Sequence, residues 1–408
     1  MDFLKPIEKC YSRVIKPNGV TKEYLVDLCK KLHISASGNK SALCDRLDKY
    51  YKPISAAKIA VSHVKVPKAT VKVPKATVKA PKVAVKAPKA VKVLKAAVKA
   101  PKSPQVPKLL GQGTYGCVYS PPIPCKENNI KYNNNTDVSK LMQAHEADLE
   151  YSMFNKIELS KLDPTSSFSI RAQQSCTPAS LSNINNCNIS INTPKILIYK
   201  NGGPDLDNTL ANMHRSDSLS ILTNFKNIIH GIDVLNTNHK YHMDLKAGNI
   251  LTGKNGKGPF KFIDFGLSQT KYEPAYIYNS DYFAWPIDTV FMTGNAYIST
   301  HVKKFMANYH IKHYIEPYYT SKGWWSEQYL KSTLINILNN PKIDGAYSIS
   351  KIDVYSIGAI LTLMLKNNNM SKYHKIILQI LDDSNILNPD PSLRSTPKQL
   401  LAIYSRYF

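Results

Sequence analysis

Tyr241-His242-Met243-Asp244-Leu245-Lys246-Ala247-Gly248-Asn249-Ile250-Leu251 is followed by a Gly/Lys-rich turn, residues 252–259, and then by Phe260-Lys261-Phe262-Ile263-Asp264-Phe265-Gly266-Leu267. The fold is decided here. The apolar flanks Ile250-Leu251 and Phe260-Lys261-Phe262-Ile263, joined by a glycine-rich connection, predict two short strands of a hairpin. That hairpin carries Asp244 and Asn249 on the loop entering it and Asp264 on the loop leaving it. Two acids and an amide gathered at one end of a hairpin suit a hard, oxygen-ligated cation such as Mg²⁺.

The spacing His-x-Asp-Leu-Lys-x-x-Asn followed by Asp-Phe-Gly resembles the catalytic and metal-binding loops of eukaryotic-type protein kinases. The resemblance implies that Asp244 is the catalytic base orienting a substrate hydroxyl and that Lys246 contacts the transferred phosphate. It also implies that Asn249 and Asp264 hold Mg²⁺. Phosphoryl transfer needs such a set because it is mostly positioning and charge neutralisation. A lysine two positions after the aspartate is the serine/threonine form, and His242 reads as a packed structural histidine. In one place the chain departs from the family: Met243 stands where an arginine normally binds a phosphate on the activation segment. Activity without such a phosphate is therefore expected.

Upstream, Leu109-Leu110-Gly111-Gln112-Gly113-Thr114-Tyr115-Gly116-Cys117-Val118-Tyr119 has apolar residues on both sides of Gly-x-Gly-x-x-Gly. Those flanks suit two strands joined by a glycine turn rather than a strand-to-helix turn. This is the kinase form, in which residues 111–118 cover ATP and Val118 packs on the adenine. Residues 120–137 read as a polar surface insert. Val138-Ser139-Lys140-Leu141-Met142 predicts the third strand, with Lys140 as the ATP-phosphate lysine and Lys131 as its rival. A helix from Gln143 would bring Glu150 to Lys140, with Glu146 one turn earlier as the alternative. Residues 160–192 are Ser/Asn-rich loop and strand edge. Ile196-Leu197-Ile198-Tyr199 and the Gly202-Gly203 crossover resemble the kinase hinge, and residues 217–238 predict a long apolar core helix.

Downstream, Trp285-Pro286-Ile287-Asp288 stands where the family has Ala-Pro-Glu. Asp288 is expected to pair structurally with Arg394, so that reversing both charges rescues what reversing one destroys. Asp353, in Asp353-Val354-Tyr355-Ser356-Ile357-Gly358, resembles the acid that braces the catalytic-loop backbone from the central helix of the large lobe. Between Asp288 and Asp353 lie 64 residues, an aromatic and weakly basic insert read mainly as extra core with some exposed surface. Its His301, His310 and His313 read as helix-face residues rather than zinc ligands.

The front of the chain is different in kind. The net charge is +25, yet residues 52–108 alone hold 15 lysines and no acid. Prolines at 67, 74, 81, 88 and 101 punctuate a rough Val-Lys-x-Pro-Lys-Ala repeat, which predicts an extended, disordered linker. Its reach would be on the order of 40 Å if flexible and roughly 175 Å if fully extended. Such a segment seeks polyanions. Before it, Leu25, Leu28 and Leu32 keep helical spacing, Ser35 to Asn39 break it, and a second helix follows from Lys40. The run Ser37-Gly38-Asn39-Lys40 within this pattern is similar to the SAP module, a helix-loop-helix family that binds DNA. The amino end of its second helix, beside Lys40, is a natural phosphate site.

Seven cysteines, at 10, 29, 44, 117, 125, 176 and 187, show no Cys-x-x-Cys pair, so reduced thiols and an intracellular setting are expected. No secretory leader is evident, and the longest strongly apolar run, residues 355–365, is too short to span a bilayer.

The expected fold class is α+β: a two-lobed protein-kinase-like domain over residues 109–408, with its insert at about 289–350. It follows a SAP-like module (1–52) and a Lys/Pro linker (53–108). The Asn-rich loops and Trp-Pro motif are similar to kinases of large double-stranded DNA viruses. For such a source the setting would be the host cytoplasm or nucleus, or the virion. The resemblance implies ATP and Mg²⁺ as cofactors, protein serine/threonine substrates, and DNA as a partner of the front region. The alternatives are a DNA-binding scaffold with a catalytically silent kinase fold and, more remotely, a small-molecule kinase.

Overall fold

The computed structural model describes residues 106–408 apart from Thr114, Asn183, 185–186, 273–282 and 293–297, together with a few positions from 26 to 43. By contacts the chain divides into two units, Met1–Pro101 and Lys102–Phe408. In the first unit Val26, Cys29, Lys30, Ala42 and Leu43 are helical, and Cys29 and Leu43 are buried. Ser35, Ala36 and Ser37, where the sequence reading breaks the helical spacing, lie in no helix or strand, and the rest of the SAP-like segment and the linker up to residue 105 lie outside the described residues.

The second unit is mixed α+β. It opens with strands β1 (Lys108–Gln112), β2 (Gly116–Ser120) and β3 (Asp137–Gln143), continues through β4 (Gln174–Cys176) and ends the sheet with β5 (Pro194–Lys200). They form one five-stranded sheet in the order β1-β2-β3-β5-β4, antiparallel at every pairing. Side chains alternate across it. Val138, Met142, Leu197 and Tyr199 enter the main core, while Cys117, Tyr119, Leu141, Ile196 and Ile198 form a separate cluster on the opposite face. That second cluster lies under the 121–136 insert and the 181–191 segment, so the polar insert contributes Ile123 to a small core of its own.

Here the structure corrects a sequence expectation. Four of the cysteines expected to be reduced are paired, Cys117 with Cys187 and Cys125 with Cys176. The partners are 70 and 51 residues apart, with Cα atoms 5.9 and 5.7 Å from each other. Short-range spacing carries no information about such pairs. Only the folding of the 121–136 insert and the 181–191 segment over one face of the sheet brings the thiols together.

Helix α1 (Ala144–Lys156) leaves β3 directly and turns Ala147, Glu150 and Phe154 inward. The short α2 (Leu159–Leu162) follows, and after the sheet come α3 (Leu206–Asn212) and α4 (Ser218–Thr237). In α4 the buried residues Ile221, Leu222, Phe225, Ile228, Ile229, Ile232 and Leu235 recur at three- and four-residue steps. Gly231 sits where a Cβ would come within 2.6 Å of Phe262 and 2.7 Å of Phe168. Helix α4 can lie this close to the hairpin β6 (Ile250–Leu251) and β7 (Lys261–Phe262) only with glycine there. The hairpin has the expected antiparallel register, Ile250 opposite Phe262.

The 289–350 insert is helical among its described residues: α5 (Ile298–Ala307), a π-turn at Ile311–Ile315, α6 (Glu316–Ser321), α7 (Glu327–Leu338) and α8 (Gly345–Ile349). Its Tyr318, Tyr319, Leu330, Leu334 and Ile337 join the main core, with Trp324 and Trp325 packed half-buried against it, as the extra-core reading expects. His301 is buried with Nε2 2.7 Å from the Ile287 carbonyl oxygen, whereas His310 and His313 are exposed on the helical surface. Helix α9 (Ile352–Leu365) is buried along almost its whole length, and α10 (His374–Ser384) and α11 (Pro397–Tyr404) close the unit. The stretch Gly345–Leu365 is apolar and long enough to cross a membrane, but 83% of it is buried inside the protein. It is a core element.

Candidate functional site

The loop preceding β6 is held from behind by α9. Asp353 accepts hydrogen bonds from the His242 amide at 2.7 Å and from the Met243 amide at 2.8 Å. Burial pushes the Asp353 carboxyl up, and it outweighs the opposing pull of His242 and the two amides. The expected brace is present. Tyr241 and Gln269 exchange backbone hydrogen bonds at 2.9 Å, tying the loop to the segment after the hairpin. His242 packs its ring on Phe262 and Phe265, accepts at Nδ1 from the Asp244 amide and meets the Ile263 carbonyl oxygen through Nε2. Its role is positional, as the sequence suggests.

Met243 has a left-handed backbone, φ 66°, and a fully buried side chain. It lies in an apolar cluster with Tyr241, Trp285, Ile349 and Ile352, and its carbonyl accepts from Trp285 Nε1 at 2.7 Å. So the residue before Asp244 is the floor on which Trp285 docks.

Three chemical side chains follow on one short arc. Lys246 Nζ lies 3.0 Å from both oxygens of Asp244. Asn249 Nδ2 donates to the Asp244 carbonyl and to Asp244 Oδ2, each at 2.8 Å. The Asn249 carbonyl accepts from the Ile263 amide at 2.9 Å, which couples the loop entering the hairpin to the one leaving it. Asp264 then takes a left-handed backbone conformation, φ 65°, that a non-glycine residue seldom adopts.

From the sheet side Lys140 reaches into the same region. Its Nζ lies 2.6 Å from Glu150 Oε2 and 3.9 Å from Asp264 Oδ2. Burial alone would lower the Lys140 pKa, but the charges of Asp264 and Glu150 hold it above the usual lysine value. The two alternatives weighed in sequence, Lys131 and Glu146, lie elsewhere. Lys131 is exposed on the insert with its amide on Gln174, and Glu146 makes no ion pair with Lys140. One residue was missed: Tyr199 donates its hydroxyl to Glu150 Oε1 at 2.5 Å, so Glu150 is held from two sides. Its only sequence signal is its place two residues beyond Leu197, on the same face of β5.

The glycine-rich turn is closed by the Gly113 amide donating to the Gly116 carbonyl at 2.9 Å, with Thr114 outside the described residues. At Gly116 a Cβ would fall 2.7 Å from the Leu141 carbonyl oxygen, so β2 and β3 can pair this closely only with glycine there. Val118 is opposite Lys140 in the sheet and packs half-buried against the main core. Tyr115 is half-exposed, and its phenol is pushed up by partial burial and by the charges of Glu146, Asp264 and Asp244. Two of the expected contacts point elsewhere. Cys117 is buried on the far face in its disulfide, and Gln112 accepts from the Asn188 amide at 3.0 Å. Gly111 is exposed beside an irregularity in the β1–β2 register.

The donor set suits Mg²⁺. Asp264 offers a partly exposed carboxylate, and the bonds of the Asn249 amide nitrogen to Asp244 leave its amide oxygen for a cation. Two protein oxygens are the number that Mg²⁺ takes when phosphates and water complete its octahedron. Among the described residues no group of three or more His, Cys, Asp or Glu that could hold a metal ion occurs. No protein-family model matches the chain.

Proposed function

We propose that this protein is a serine/threonine protein kinase of the two-lobed kinase-like fold, transferring the γ-phosphate of ATP to protein hydroxyls. The observation that carries the reading is the convergence of Lys140, Glu150, Asp244, Lys246, Asn249 and Asp264. They come from four segments, β3, α1, the loop before β6 and the loop after β7, with Lys140 bridging Glu150 at 2.6 Å and facing Asp264 at 3.9 Å. Lys140, fixed by Glu150 and Tyr199, would hold the nucleotide phosphates. Asp244, held by Asn249 and Lys246, would orient the incoming hydroxyl and accept its proton. Lys246, beside it, would stabilise charge on the transferred group. Mg²⁺ bound at Asn249 and Asp264 would supply neutralisation of phosphate charge.

The front of the chain supports a tether. The SAP-like residues and the 15 lysines of residues 52–108 would hold the kinase on DNA and raise its local concentration near DNA-bound substrates, to about the millimolar range. The test is radiolabel transfer from ATP to a basic protein, with and without DNA at two salt concentrations, comparing wild type with Asp264→Ala. Loss of transfer by roughly 10³-fold or more in the variant is expected. Equal signals, or none from either protein, would favour a catalytically silent scaffold.

A further inference from the structure

A second concavity, of about 750 Å³, lies between the second half of α1, the segment leading into β4, the end of β5 with its crossover, and the β6–β7 turn. Gly202 of the hinge-like crossover is among its lining, but Lys140, Glu150, Asp244, Lys246, Asn249 and Asp264 are not, so charge changes in the recess leave the proposed catalytic set untouched. Its size is that of a small-molecule pocket. Its charge is one-sided: Arg171, Lys200, Lys254 and Lys261 line it, and no Asp or Glu does. Lys200 is neutralised by Asp137 at 2.6 Å. The other three are not neutralised. Arg171 donates to the main-chain carbonyl of Asp163 at 3.0 Å, and Lys254 and Lys261 pair with no acid among the described residues. The Asp163 carboxylate is turned to the Ser167, Phe168 and Ser169 amides and the Ser167 and Ser169 hydroxyls and forms no ion pair with these cations. Ser160, Ser166 and Asn201 add neutral donors to the lining.

We propose that this recess binds a phosphate monoester, carried either on a phosphorylated side chain or on a free small molecule. Three cations without an ion-pair partner around a half-open recess match a compact dianion with several acceptor oxygens. An extended acidic peptide would need a groove, and duplex DNA is too broad to enter a recess of this size.

The experiment uses the full chain and isothermal titration at fixed ionic strength. The probes are O-phosphoserine, a phosphoserine peptide and its unphosphorylated counterpart. Wild type is compared with Lys254→Glu/Lys261→Glu and with a control, Lys257→Glu, an exposed lysine outside the lining. The linker lysines are the same in all three proteins, so differences report the recess. The double variant is expected to bind O-phosphoserine about tenfold more weakly, and the control to match wild type. Tighter binding of the phosphopeptide than of O-phosphoserine would identify a side-chain ligand, and the reverse a free ester. Should the double variant melt early, Lys254→Glu alone, at an exposed position, is expected to weaken binding about threefold. Equal affinity in all proteins overturns the proposal. So does binding of the unphosphorylated peptide as tightly as its phosphorylated form, or a loss in the variants of duplex-DNA affinity without loss of phosphoserine affinity.

Discussion

At position 243 a methionine holds a left-handed backbone conformation, which costs a non-glycine residue about 1–3 kcal/mol. It persists because Asp353 fixes its amide, Trp285 its carbonyl and an apolar cluster its side chain. Met243 itself offers no cation to read a phosphate on the following segment. Phosphatase treatment is therefore expected to leave the proposed kinase activity unchanged, and abolished activity would refute this. Asp163 supports a pH prediction. Burial alone would raise its carboxyl, but hydrogen bonds from Ser169, Ser167 and Phe168 outweigh that and hold it below the usual range. A depressed folded value means its stabilisation is present above the unfolded value of about 4 and is lost as pH falls through the folded one. Asp163→Asn, whose amide group would meet those donors, is expected to cost about 2–3 kcal/mol at pH 7 in urea unfolding, with the difference from wild type shrinking below about pH 4. A difference independent of pH would show that the charge is not what matters.

At the scale of elements, the loop before β6 and the chain after it are fixed by buried charges on distant helices. Arg394 and Asp288 are both fully buried and ion-paired, Ser348 donates to Asp288 at 2.7 Å, and the guanidinium lies over the Tyr355 ring. The pair expected from sequence is present. Removing one partner, as in Asp288→Asn, should cost about 3–5 kcal/mol in denaturant unfolding. The surroundings change the double-reversal expectation. Arg394 also donates to the carbonyls of Asn388 and Pro389, so a carboxylate at 394 would face acceptors. The exchanged pair is expected not to recover wild-type stability, and full recovery would refute this. On the sheet side, Tyr199→Phe removes one of the two holds on Glu150. It should weaken nucleotide binding a fewfold while Lys140→Ala weakens it far more, as nucleotide titration of the two variants would measure.

For the molecule as a whole, the disulfides are the feature that most changes the expected behaviour. They close loops of 70 and 51 residues around one face of the sheet. A loop of that length is worth about 4 kcal/mol in the chain-entropy account, and the two overlapping loops give less than twice that. Thiol reductant should therefore lower the melting temperature, and Cys117→Ser/Cys187→Ser should reproduce part of the loss. An unchanged melting curve would mean the pairs contribute nothing. Much of the rest was legible before the structure. The hairpin, the strand around Lys140, the helix carrying Glu150, the long α4 and the buried α9 each have a hydrophobic period longer than any ambiguity in it.

What the sequence by itself determined is the local chemistry: which residue types stand at which spacing in 241–266, 111–118 and around Lys140. Those are short-range facts, set by turn geometry and strand or helix period. Only the tertiary structure decided which lysine meets which acid, that Tyr199 shares Glu150, that Cys117 faces away from the cleft, and that three cations without an ion-pair partner line one recess. Each of these depends on which faces of non-adjacent segments pack together. That is fixed by burial across the whole unit, and no window of sequence contains it.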